Sequence, residues 1–154
     1  MKKKIYIASD HAGFELKNKL IDFLETGGFI IQDMGAFKYD DQDDYPDFIS
    51  LAAMEVSKDP MESFGIVIGG SGQGEAIVAN RFPNVRAAVY YGGNFELIKK
   101  CREHNDSNIL SLGARFMSEK EATIAVKVWL DTPFSGDERH LRRIRKIDDL
   151  LVNQ

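Results

Sequence analysis

Glu75 ends the run Gly69-Gly70-Ser71-Gly72-Gln73-Gly74-Glu75, in which four glycines bring bare backbone up to a carboxylate. The apolar residues before it, Ile66-Val67-Ile68, read as a strand buried on both faces, as in a parallel sheet. Glu75 through Arg81 has the composition of a short helix. A strand, a glycine turn and a helix start aim backbone N–H groups at an anion. Glycine suits the turn because a Cβ would block positive φ angles and hold a ligand off the backbone. A carboxylate beside such an anion hole is what proton abstraction next to a carbonyl requires. The same carboxylate would also complement the helix dipole, worth about 0.3–1 kcal/mol. This stretch alone leaves both roles open. Other glycine motifs fit poorly. A dinucleotide fingerprint counted from Gly70 would need glycine where Glu75 stands, and no Gly-Lys-Ser/Thr follows.

Asp10 and His11 follow the short apolar run Ile5-Tyr6-Ile7-Ala8. They therefore sit at the carboxyl end of a first strand, where open α/β sheets place their sites. Asp10 reads equally well as a helix cap. Asp40, Asp41, Asp43 and Asp44 crowd one loop but lack the spacing, central glycine and terminal glutamate of a calcium loop, so a solvated loop is expected there and no metal. Cys101 lies among Lys99, Lys100 and Arg102, whose charges could lower its pKa. No histidine in a recognisable spacing accompanies it, and a structural role is expected. Between Arg139 and Lys146 stand five cations in eight residues. A solvated helix face is the usual reading of such a run. Arg139 and Arg143, four apart on one helix face, could also fork onto one phosphate.

The elements that must hold these residues alternate along the chain. The first strand leads into a helix with Phe14, Leu16, Leu20, Ile21, Phe23 and Leu24 on one face, stopped by Gly27-Gly28. Phe29 to Asp33 reads as the second strand, and Pro46 opens a helix through Ile49, Ala52, Ala53 and Val56. Arg86 to Tyr91 is the predicted fourth strand, followed by a helix from about Phe95 to Glu103 with His104-Asn105-Asp106 beyond it. Ile109 to Gly113 is the fifth strand. Glu119 to Leu130 and about 137–152 are the last helices, the latter carrying Ile147, Leu150, Leu151 and Val152. Five strands alternating with helices predict an α/β fold with one largely parallel sheet.

With 154 residues, the chain is expected to form a single domain. Its 44% hydrophobic and 29% charged residues are ordinary for a globular protein. A net charge of −4 argues against a broad nucleic-acid-binding face. One cysteine allows no internal disulfide and suits a reducing compartment. Met1-Lys2-Lys3-Lys4 starts like a signal peptide, but Asp10 interrupts the apolar run too early, and no stretch reaches transmembrane length. A cytoplasmic protein without membrane partners is expected.

Taken together, Ser9-Asp10-His11-Ala12-Gly13-Phe14, Asp44-Tyr45-Pro46, Gly69 through Glu75, Glu103-His104-Asn105-Asp106 and Arg139-His140 resemble the type B ribose-5-phosphate isomerases, from the first strand into the last helix. That wider family also holds galactose-6-phosphate and allose-6-phosphate isomerases. The resemblance implies a Rossmann-like three-layer sandwich around the five-stranded sheet. It implies a homodimer, sometimes paired into a tetramer, acting in the pentose phosphate pathway without metal or cofactor. Glu75 would move the proton between C2 and C1, and Gly70, Ser71, Gly72, Gln73 and Gly74 would hold the enediolate oxygens. His104, aided by Asp10, would open the sugar ring. His11, Arg115, Arg139 and Arg143 would hold the phosphate, while Asn105 and Tyr45 would bind the sugar. The site would be shared between subunits, with the His104 segment arriving from the neighbour, and the C-terminal helix would contribute to the phosphate site and the dimer. Some family members carry a cysteine base where Gly69 stands; here Glu75 is the one base, and Cys101 is not at that position.

Two other readings accompany pentose phosphate isomerisation. One is a hexose-phosphate isomerase of the same family. The other is a non-catalytic sugar-phosphate-binding module, because a fold alone does not give function. Intact Glu75 and His104 speak for an enzyme.

Overall fold

The computed structural model describes residues 3–152, with side chains described as far as Leu150. Met1 and Lys2, and the side chains of Leu151 and Val152, lie outside the described residues. The chain alternates strands and helices: β1 (Lys4–Ser9), α1 (Phe14–Thr26), β2 (Ile30–Asp33), α2 (Tyr45–Lys58), β3 (Ser63–Gly69) and α3 (Gln73–Ala79). It continues through β4 (Ala87–Tyr90), α4 (Glu96–Asn105), β5 (Ile109–Gly113), α5 (Glu119–Asp131) and α6 (Glu138–Val152). One 3-10 turn, His11–Gly13, joins β1 to α1.

All five strands are parallel, in the order β2-β1-β3-β5-β4. The central strand β3 is buried along its whole length, as its apolar run predicts. Its side chains alternate between two cores. Phe64, Ile66 and Ile68 join Ile5, Ile7, Leu110 and Leu112 beneath α1, α4 and α5, where Leu20, Ile98 and Trp129 are buried. Val67 faces the other way, with Ala8 and Ile109, into Ile49, Ala52, Ala53 and Val56 of α2 and Ala79 of α3. The result is the expected three-layer α/β sandwich, its sheet wholly parallel where the sequence reading expected a largely parallel one.

Two of the boundaries that shift from the sequence reading have a clear physical cause. Helix α4 runs on through His104 and Asn105, because its stop is Asp106 in the left-handed region at φ 46°, with the Asp106 N–H bonded to the Arg102 carbonyl. Strand β4 starts at Ala87; Arg86 instead turns its guanidinium onto the Asn105 and Asp106 carbonyls and the Asp106 carboxylate. Among the described residues no helix is long and apolar enough to cross a membrane.

Candidate active site

From β1 the chain turns outward to β2, and from β3 it turns toward the opposite edge. The connections therefore part at the carboxyl ends of β1 and β3, which lie side by side with Ser9 opposite Ile68. In parallel α/β sheets such a switch point opens a crevice for ligands. The Asp10–Gly13 turn and the Gly69–Gly74 loop both emerge there. Gly13 packs so closely on the end of β3 that a Cβ would strike the Ile68 carbonyl oxygen.

Glu75 lies in the first turn of α3 and is only 4% exposed. Its carboxylate lies over Gly69, in the space a side chain at that position would fill. Burial raises its pKa, and the nearby Asp10 charge adds to the rise. Hydrogen bonds from the backbone N–H groups of Glu75 and Gly72 oppose it. Burial and a raised pKa are conditions under which a carboxylate can serve as a general base. Gly72 introduces α3 in the left-handed conformation, φ 77°, and its carbonyl accepts the Ser111 hydroxyl at 2.7 Å. Ser71 Oγ accepts the Gln73 N–H at 3.3 Å, which leaves its own O–H to donate.

The neighbouring candidates surround this loop. Asp10, buried, accepts the Gly13 N–H at 3.2 Å, so it is a cap and a near neighbour of Glu75 at once. Tyr45, at the start of α2, lays its ring against Gly74, where a Cβ would meet it at 2.7 Å. Arg115 follows β5, donates its N–H to the Gly70 carbonyl at 3.1 Å and brings its guanidinium over Gly70. His11 Nδ1 lies 2.7 Å from Asp43 Oδ1, and that bond raises the His11 pKa most; the Asp10 charge adds to the rise, while burial and Arg115 oppose it. Asp43 corrects the expectation of a wholly solvated acidic loop: Asp40, Asp41 and Asp44 are exposed, but the Asp43 side chain turns inward and is 8% exposed. Sequence reasoning missed it because four aspartates within five residues look alike until the loop is closed. Asp10, His11 and Asp43 also stand near enough together to hold a cation, and Asp43 Oδ1 is engaged by His11 Nδ1 and the His11 backbone N–H.

His104, Asn105, Arg139 and Arg143 do not join this group within one chain. Helix α4 runs antiparallel to the strands, so its last turn arrives at the amino end of β5, opposite the crevice. There the His104 ring stacks on His140, centroids 4.4 Å apart and 15° from parallel. His140 is 3% exposed, and burial lowers its pKa, helped by the His104 charge. Arg139 and Arg143 project from α6 into solvent. One chain thus carries two half-sets: a buried carboxylate with a glycine loop at one end, and a histidine with two arginines at the other. Cys101 departs from the suggestion of a lowered pKa. Burial pushes its thiol up, and it is held by Ser107 and by the Ile98 carbonyl, in keeping with the structural role expected.

The sequence profile of the Ribose/Galactose Isomerase family matches residues 5–147. The chain belongs to the ribose/galactose isomerase family. A relative in Mycolicibacterium paratuberculosis, ribose-5-phosphate isomerase B, is 45% identical over 141 residues, 92% of this chain and 87% of the relative. The crystal structure of ribose-5-phosphate isomerase B from Mycoplasma genitalium with bound ribulose-5-phosphate superposes with a TM-score of 0.95 at 36% identity, covering 100% of this chain and 99% of the other. Ribose-5-phosphate isomerase B of Clostridium thermocellum gives 0.89 at 41% identity, covering 97% and 98%. The resemblance read from the motifs therefore holds for the family and for the fold. A side chain at position 69 would displace the Glu75 carboxylate from its present seat.

Proposed function

We propose that this chain interconverts ribose 5-phosphate and ribulose 5-phosphate through an enediolate, with Glu75 as the base. The observation that carries the reading is the buried Glu75 carboxylate, its pKa raised, seated on the glycine loop at the sheet's switch point. The ribulose-5-phosphate bound to the Mycoplasma genitalium relative supports the five-carbon substrate. Glu75 takes the proton from C2 of the opened sugar and returns it at C1, while the proton on O2 passes to O1. Backbone N–H groups of the Gly70–Gly74 loop and the Ser71 hydroxyl stabilise the oxyanion as it forms. One such donor is worth about 3–4 kcal/mol, and a positioned base about 10²–10⁴-fold. His11 and Arg115 take the phosphate from one side. Tyr45 flanks the sugar and encloses the loop. No step passes through a metal or cofactor.

The complete site is built by two copies in a homodimer. His104 from the second copy protonates the ring oxygen for opening, with Asp10 orienting the sugar, while Asn105 binds sugar oxygens and Arg139 and Arg143 close on the phosphate. The separation of the two half-sets in one chain supports this arrangement, because no side chain spans the sheet from end to end. Pairing of dimers into tetramers and a cytoplasmic location belong to the same proposal. Mixing Glu75→Gln with His104→Asn tests it. Random reassociation of two inactive variants restores about a quarter of wild-type sites in a symmetric dimer. Ribose 5-phosphate turnover rising to that level is expected. A mixture that exchanges subunits yet stays inactive would overturn the shared site, and a wild type that turns over only six-carbon phosphates would overturn the substrate.

A further inference from the structure

Asp43 is the one member of the acidic loop whose carboxylate is spent inward. Its Oδ1 accepts two hydrogen bonds from the same residue, the His11 backbone N–H at 3.0 Å and His11 Nδ1 at 2.7 Å. Its Oδ2 is buried with no hydrogen-bond partner. A buried carboxylate with one oxygen unmatched is costly unless a cation stands against it. Among the described residues, the only side chain it grips is the imidazole. The loop that delivers it is tied down independently: Ser9 and Ala36 exchange backbone bonds with Gly35 and Ser9 at 2.8 Å each, and the fully buried Lys17 ammonium bonds both Asp33 oxygens and the Ala36 carbonyl.

We propose that Asp43 is a positioning residue that clamps His11 as an Nδ1-protonated cation, so that Nε2–H meets the phosphate dianion of the substrate. The inference rests on the proposed role of His11 in holding the phosphate. A two-point grip on backbone and ring fixes the side-chain rotamer, and a carboxylate on Nδ1 dictates which nitrogen is left to donate. The charged groups facing His11 are Asp43 from the loop, Asp10 from its own turn and Arg115 from the connection after β5; the Tyr39 ring meets it edge-on, centroids 6.4 Å apart. Two carboxylates against one guanidinium keep the local balance in favour of imidazolium. Arg115 then shares the phosphate without discharging the histidine.

The test combines ring ¹⁵N NMR with a pH series of KM. In the folded wild type, His11 should show a protonated Nδ1 and titrate above the ordinary histidine value of about 6.5. Asp43→Asn keeps an acceptor for Nδ1–H but removes the charge, and should lower that titration. Each unit of loss reduces the cationic fraction about tenfold at pH above both values. The ratio of variant to wild-type KM should therefore be about tenfold near pH 8 and fall within about twofold near pH 6, with kcat within twofold throughout. In a His11→Ala background the Asp43→Asn change should add nothing. A purely structural Asp43 would give a KM ratio flat with pH. A flat ratio with an unmoved His11 titration, or a wild-type His11 protonated on Nε2 alone, would overturn the proposal. His11→Ala with wild-type KM would instead overturn the phosphate role on which it rests, while the NMR titration still reports the clamp.

Discussion

Gly69→Ala separates stability from catalysis at a single methyl group. Gly69 lies outside the left-handed region, so alanine brings no backbone strain there. Its carbonyl would still accept the Ala114 N–H at 2.8 Å, keeping the end of β3 paired to the chain after β5. The added Cβ would, however, overlap the Glu75 carboxylate. That carboxylate is the far end of a three-torsion side chain, which can turn away for about 0.5–1.5 kcal/mol. In a chain of this size the cost corresponds to about 2–6 °C in Tm. Chemistry is less forgiving. Displacing a reacting group by about 1 Å can cost about 10²-fold in rate, near 2.7 kcal/mol of barrier. The expected variant is folded, binds sugar phosphate within about threefold of wild type, and loses about two orders of magnitude in kcat. Thermal melts and a coupled assay for ribulose 5-phosphate read both. A folded Gly69→Ala protein with kcat within threefold of wild type would refute the placement of the base.

Burying Glu75 has a stability consequence with a definite sign. Its folded pKa is raised, so between the ordinary value of 4.5 and the raised one the folded state holds more protons than the unfolded state, and stability falls as pH climbs through that window. Glu75→Gln should raise Tm at pH 8, about 2–4 °C for each kcal/mol of relieved burial cost, with the gain vanishing near pH 4 in pH-dependent melts. The acid limb of kcat/KM should likewise lie above the ordinary glutamate range and disappear in that variant. Arg139→Ala and Arg143→Ala should each raise KM about ten- to hundredfold with smaller changes in kcat, the loss of one charge-assisted contact of about 1.5–3 kcal/mol. Steady-state kinetics that leave both KM values unchanged would return the arginines to a solvated face.

Much of this was legible in residue order. Ile66-Val67-Ile68 announced a strand buried on both faces, Ile109 to Gly113 a further strand, and the glycines after Gly69 a loop that admits ligand to backbone. The place of Glu75 in the first turn of a helix followed from its position beside them. Other features depend on closure of the chain. Helix α4 outlasts its predicted end because Asp106 takes a left-handed conformation, which few residues besides glycine, asparagine and aspartate adopt readily. The inward turn of Asp43 depends on a loop path that no local pattern encodes. The division of His104 and Arg139 from Glu75 follows from strand order, which periodicity does not carry. Gly69 reads as another loop glycine in the sequence, and only the packed structure shows that it makes room for a carboxylate.

The most direct test follows the hydrogen at C2 of ribose 5-phosphate in deuterated buffer with excess chelator, for wild type and Glu75→Gln. The wild type should form ribulose 5-phosphate and exchange that hydrogen with solvent. The variant should stay folded and bind the sugar phosphate within about threefold, while both product formation and exchange fall about 10²–10⁴-fold. A folded variant that exchanges and turns over within a few-fold of wild type would contradict Glu75 as the base.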